Sequence, residues 1–202
     1  MLGRAAPVAL LSLLLGSSPP GELRADAHAP GTPDSEAMTH AVDTRASSAL
    51  FLVRLRGRTV EGRMPPPSGE LTGSAATGWV VRVEADGRGL RVEGPRWMER
   101  VTRSDAFLAV NRYPRIRFES AAFADGVLHQ GGAIAGHLTL RGLRRPVSFL
   151  LLPSACARPG LDCELQVHGR VSRKAFGMSA YRVLVRDEVD VRFRMRLHEA
   201  AP

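Results

Sequence analysis

The ten residues Val189–His198, VDVRFRMRLH, alternate without a lapse. Val189, Val191, Phe193, Met195 and Leu197 fall on one phase, and Asp190, Arg192, Arg194, Arg196 and His198 on the other. A period of two puts successive side chains on opposite faces of a strand, so this strand has one dry and one wet face. Its length, about 30 Å at the usual rise per residue, is more than a lone strand can sustain with unpaired edges, and it therefore demands a large antiparallel sheet. The nature of that sheet depends on what the dry face meets.

The rest of the chain repeats the pattern in short units. Ser48–Arg56 places Phe51, Val53 and Leu55 on one phase. Trp79, Val81 and Val83 form a second unit, with Asp86-Gly87 as a turn signal and Leu90 and Val92 beyond it, which predicts a hairpin closing at Asp86–Gly89. Ile116 with Phe118, then Ile134, Leu138 and Leu140, then the apolar run Val147–Leu152 containing Phe149, and then Leu165, Val167 and Val171 come in turn. A short strand is expected near Thr39–Asp43 and a Pro-rich loop at Met64–Gly69. Short strands at close spacing with turn residues between them point to an all-β sandwich or barrel of about eight strands. One stretch departs from this rhythm. Thr102-Arg103-Ser104-Asp105 has the form of a helix cap, and Pro114 prevents a helix from running on, so one short helical segment is expected near residues 102–111.

The first residues have a different character. Arg4 precedes an apolar run, Ala5–Gly16, that is too short to span a bilayer and fits a secretory signal, with cleavage expected after Ala27. Residues 28–37 are small, polar and Pro-rich and read as a flexible lead-in. The expected organisation is a signal peptide over 1–27, this lead-in, and one domain over 38–199, in a periplasmic or secreted protein. Cys156 and Cys163 are the only cysteines in the 202 residues. In an exported chain, two cysteines flanking a short loop between strands predict a structural disulfide. They lack the CxxC spacing of a redox or metal site.

Charge narrows the function classes further. The net +8 is carried almost wholly by arginine, Lys174 being the sole lysine. The arginines alternate along strands and do not gather into a groove interleaved with exposed aromatics, which argues against nucleic acid and leaves anionic lipid or a partner protein. The six histidines show no metal-ligating spacing, and no nucleophile motif, phosphate loop or carboxylate pair stands out, so neither metal nor catalysis is expected.

Several stretches in order resemble the YceI-like family of bacterial polyisoprenoid-binding proteins: Val42-Asp43 with Ser47–Leu55; TRSDAF at Thr102–Phe107 with Tyr113–Phe118; GHLTLRG at Gly136–Gly142 with Pro146-Val147; and SRKAFGM at Ser172–Met178. The likeness runs from about Met38 to Glu199. It implies an extended, lipocalin-like, eight-stranded antiparallel barrel that holds an isoprenoid lipid, or a related quinone-like lipid, in its lumen without catalysis and with no other cofactor. It further implies transient contact with a membrane surface, and it leaves the oligomeric state open, a dimer included. The wall residues expected to line the lumen are Phe51, Val53, Leu55, Val81, Ile116, Phe118, Leu138, Phe149, Val167, Phe176, Met178, Val191, Phe193 and Met195, with Arg103 and Arg173 as candidates for a polar head group. The alternative is an exported barrel with no small ligand that docks through its Arg-rich exterior.

Overall fold

The computed structural model describes residues 37–200. The expected signal peptide and most of the lead-in lie outside the described residues. Twelve strands form one antiparallel sheet: β1 Met38–Val42, β2 Ser48–Leu55, β3 Arg58–Met64, β4 Ser68–Ser74, β5 Gly78–Asp86, β6 Arg91–Val92, β7 Arg115–Ser120, β8 Gly132–Leu140, β9 Leu143–Leu151, β10 Leu165–Ser172, β11 Val185–Met195 and β12 Leu197–Glu199. Two short helices accompany them, α1 at Arg96–Arg103 and α2 at Gly126–Gln130.

The twelve strands reduce to eight staves, because four staves are each interrupted once. Pro65-Pro66-Pro67 divides β3 from β4, since proline has no N–H to give the ladder. The turn at Gly87–Gly89 divides β5 from β6, with the Asp86 carboxylate accepting from Arg88 N at 2.9 Å. Asp43 divides β1 from β2 by accepting the backbone N–H of Arg45 at 2.8 Å, an Asx turn. Arg196 alone divides β11 from β12. The last two breaks face each other: Asp43 N donates to Arg196 O at 2.8 Å, and Arg196 N to Ser47 Oγ at 3.0 Å. The first stave therefore pairs with the last at both ends, β1 with β12 and β2 with β11, with one register shift between Val185 and Val189. Every other neighbouring pair of staves is consecutive in sequence. The sheet thus closes on itself as an up-and-down barrel of lipocalin type, which removes its edges.

Two expectations are corrected. Asp86–Gly89 is not a hairpin. The chain bends there and continues along the same stave, so that β6 pairs with β3 (Gly62 with Val92) and not with β5. The Asp-Gly signal is used for a 3-10 turn whose first N–H the Asp86 side chain satisfies. The helix lies at Arg96–Arg103, ahead of the expected 102–111. Pro95 precedes it, and Ser104 ends it by donating from both N and Oγ to Val101 O. Pro95, at a φ of −61° and a ψ of 142°, is the extended residue from which the helix starts, and Arg100 and Arg103 suit its negative end. Residues 104–113 then form tight turns, with Ala109 at a φ of 49°.

The base of the barrel is plugged. Leu128 of α2 is buried there, the Trp79 indole donates to Asp125 Oδ1 at 2.9 Å, and His40 stacks on Trp79. The Cys156–Cys163 disulfide closes the loop between β9 and β10 at this end, and Gly160 of that loop accepts from Leu197 N at 2.9 Å. The opposite end, the mouth, is formed by the β2–β3 turn, α1, the turns after it and residues 173–184.

Candidate lipid-binding lumen

The wet phases of the staves carry cross-strand ion pairs. Asp190 accepts from Arg170 at 3.1 Å and from Arg54, and Glu84 pairs with Arg115 and Arg117. The dry phases turn inward, but they do not fill the interior. Phe51, Val53, Ile116, Phe118, Val191 and Phe193 stay half-buried although they point inward, because they border empty space.

That space is a series of three chambers. A cleft of about 410 Å³ opens at the mouth between β2–β3, α1 and residues 181–185. It shares Phe51, Val53, Thr102 and Phe107 with a middle chamber of about 160 Å³. The middle chamber in turn shares Pro67, Ala85, Ile116, Leu138, Phe149 and Phe193 with a deep chamber of about 90 Å³. The partition between middle and deep chambers is aromatic. Phe149 meets Phe118 edge-on at 4.8 Å between ring centroids and Phe193 at 5.8 Å.

Most residues expected at the lumen come together here. Phe51, Val53, Ile116, Leu138, Phe149, Met178, Val191, Phe193 and Arg173 line the middle chamber. Val81, Phe118, Val167 and Met195 line the deep one, and Leu55 the cleft. Phe176 is buried in the packed core and lines none of the three. Arg103 lies outside the lumen, where its Nη2 donates to Leu90 O at 2.8 Å and pairs with Glu99 at 3.3 Å. Other lining residues lie outside the expected set. Val83, Leu140 and Val189 share a phase with named neighbours, so periodicity alone marks them, whereas Phe107, Leu108, Met64 and Pro67 come from turns or strand ends that carry no period.

Arg173 is the only charged side chain lining the middle chamber. It is 2% exposed, and its Nη2 donates to Ala180 O. Its guanidinium carbon sits 5.2 Å above the Phe107 ring, which stacks in turn on Tyr181. Its Nε and Nη1 have no partner. Burial draws its pKa below the usual arginine value, and the nearby Asp187 opposes that shift.

A family model described as a YceI-like domain matches residues 40–197, nearly the whole barrel. The chain belongs to the YceI-like family. Solved structures agree on the fold. BcnA of Burkholderia cenocepacia superposes with a TM-score of 0.64 at 18% identity, over 78% of this chain and 99% of that one. A polyisoprenoid-binding domain from Saccharophagus degradans, implicated in plant cell wall breakdown, gives 0.58 at 13%, over 81% and 99%. The YceI protein of Campylobacter jejuni gives 0.53 at 15%, over 74% and 90%. No curated protein matches the sequence. In this YceI-like barrel the family elements fall at the mouth and the lumen wall: SRKAFGM carries Arg173 and Met178, and GHLTLRG carries Leu138 and Leu140.

Proposed function

We propose that this YceI-like protein holds a long, slender apolar lipid of polyisoprenoid type, a prenyl quinone included, in its lumen after export to the periplasm, and that it does so without catalysis. The observation that carries this reading is the run of chambers from mouth to base, joined through shared phenylalanines and lined almost wholly by apolar side chains. Each CH₂ withdrawn from water contributes about 0.8 kcal/mol, so a chain of many carbons is held by such walls with few polar contacts. The mouth cleft has the volume of a small-molecule site, while the two inner chambers admit only a narrow chain. Thr102 and Arg173 are the polar side chains of the middle chamber, and no histidine or carboxylate lines it, which favours holding over reacting. The Saccharophagus degradans relative, described as a polyisoprenoid-binding domain, lends the chemistry of the ligand. Extraction of the purified protein into organic solvent, followed by mass spectrometry, tests the reading. A co-purifying prenyl lipid, or uptake of an added one, is expected. Failure of both would remove it.

A second reading concerns the rim of the mouth. Trp97, Tyr181, Val183 and Leu184 are exposed there, Val183 at 82%. Arg96, Arg100, Arg182 and Arg186 lie close to them in sequence and Arg56 and Arg58 line the same cleft, all exposed and in no ion pair among the described residues. An apolar patch ringed by unpaired cations suits an anionic lipid surface. Co-sedimentation with phosphatidylglycerol vesicles but not with phosphatidylcholine vesicles is the expected result, and equal partition to both would end this reading.

A further inference from the structure

We infer that Arg173 is the anchor for an oxyanion, a phosphate or a carboxylate, at the head of the apolar chain held in the lumen. This inference rests on the lumen reading above and adds the chemical class of the head group. A guanidinium presents five N–H donors and is never neutral in a protein. Arg173 has placed one of its nitrogens on Ala180 O and left Nε and Nη1 without an acceptor, at 2% exposure, where no bulk water compensates. A buried cation without a counter-ion is among the most costly arrangements a fold can keep.

The nearest acid relieves it only through space, without a hydrogen bond. Asp187 accepts from Ser172 Oγ at 2.8 Å and from Lys174 N at 2.9 Å, and forms no ion pair with Arg173. The Phe107 face supplies a cation–π contact but no hydrogen-bond acceptor. Arg173 lines a chamber whose other walls are apolar but for Thr102, with its free donors almost closed off behind that wall, so a small shift of the side chain brings them to an acceptor on the ligand. An anion answers both the unused donors and the charge that Asp187 only partly offsets, whereas a neutral alcohol or quinone oxygen answers only the first.

Position fits that role. Arg173 borders the middle chamber, and Phe107 above it also borders the mouth cleft. A head group here sits just inside the mouth beneath the Phe107–Tyr181 stack, with the tail running past Phe149 and Phe193 toward the base. Arg103, the other arginine expected at a head group, lines none of the three chambers, and its Nη2 already has Leu90 O and Glu99 as partners.

The test compares geranylgeranyl phosphate, geranylgeranoic acid and geranylgeraniol for binding to the delipidated full-length protein, and to Arg173→Gln and Arg173→Lys. In the unaltered protein the phosphate is expected to bind at least about ten-fold more tightly than the alcohol, the scale of a charge-assisted hydrogen bond. Arg173→Gln should bring phosphate and alcohol to parity, and Arg173→Lys should keep part of the preference. If the acid behaves as the phosphate does, the site is a general oxyanion site; if it behaves as the alcohol does, the head group is phosphate. Equal affinity for phosphate and alcohol in the unaltered protein overturns the inference and leaves the lumen reading standing. An equal loss for both in Arg173→Gln and Arg173→Lys, with a lowered melting temperature, also overturns it, because Arg173 would then only support Ala180. Binding of none of the three would overturn the lumen reading as well.

Discussion

The ring of Phe149 lies flat on Gly169, its register partner on the next stave. A Cβ at Gly169 would stand 2.1 Å from Phe149 Cδ1. Phe51 does the same to Gly62, its own partner across β2 and β3, where a Cβ would fall 2.0 Å from the ring. An aromatic laid over a glycine is held against the wall in place of standing into the interior. These pairs let a barrel rich in large inward side chains remain hollow.

Gly169→Ala should therefore push the Phe149 ring off the wall toward Phe118 and Phe193. Overpacking of this kind costs about 1–3 kcal/mol. The expected outcome is a lower denaturation midpoint together with reduced prenyl-lipid uptake. Unchanged uptake in a folded variant would show that the glycine does not set the width of the lumen.

Phe193→Ala probes the partition between the inner chambers. A phenylalanine packed on all sides costs about 3–5 kcal/mol when cut to alanine. Phe193 borders both chambers and is half-buried, so its loss should cost less than that, as read from urea unfolding. The same substitution widens the passage between the middle and deep chambers and should relax selection for slender chains, measured as uptake of bulkier lipids.

Acid should loosen the segment that carries Arg173. Burial pushes the Asp187 carboxyl up, but hydrogen bonds from Lys174 N and Ser172 Oγ, with the charges of Lys174 and Arg173, bring it to a net position below its ordinary 3.8. A carboxylate lowered in the folded state contributes its full stability above the unfolded value and loses it as pH falls through the folded one. The unfolding free energy should therefore decline from about pH 4 downward, and Asp187→Asn should flatten that decline. Urea titrations across this range measure it. An acid limb identical in the variant would assign the loss to other carboxylates.

Reduction of Cys156–Cys163 should lower stability by about 2–3 kcal/mol, the loop-entropy scale for so short a closure. The bridge lies at the base, at the far end of β10 from the mouth residues, so lipid uptake should persist in the reduced but folded protein. A thermal melt with and without reductant, paired with an uptake assay, checks both halves.

The alternation in Val189–Met195 places Val191, Phe193 and Met195 inward because one dry phase per strand is a local property that the barrel preserves. The eight staves are likewise legible, since a single proline run or a one-residue break does not disturb the count of apolar units. What the sequence withholds is what depends on cross-strand partners. The Phe149–Gly169 contact is a matter of register, and neither residue announces it. Phe107 and Leu108 reach the lumen from turns in which side-chain direction depends on the path of the chain, with Ala109 at positive φ, and no periodicity marks such positions. Arg103 and Arg173 read alike as basic residues in family elements, and only the fold separates an exterior clamp from a lumen cation. The Asp86-Gly87 turn signal is real, but whether a turn reverses a strand or merely bends it depends on the neighbour beyond, here β3.

The bond from Arg196 N to Ser47 Oγ joins residues 149 positions apart. Every other stave can pair with the one made just before it, but the first and last meet only when nearly the whole domain is present. Contacts so far apart in sequence are slow to form, because the long loop between them must close first. Until they form, the first and last staves are open edges able to recruit a second chain. The time between synthesis and closure is thus when this barrel is most exposed to self-association, and substitutions at Asp43, Ser47 or Arg196 should act first on the yield of folded protein.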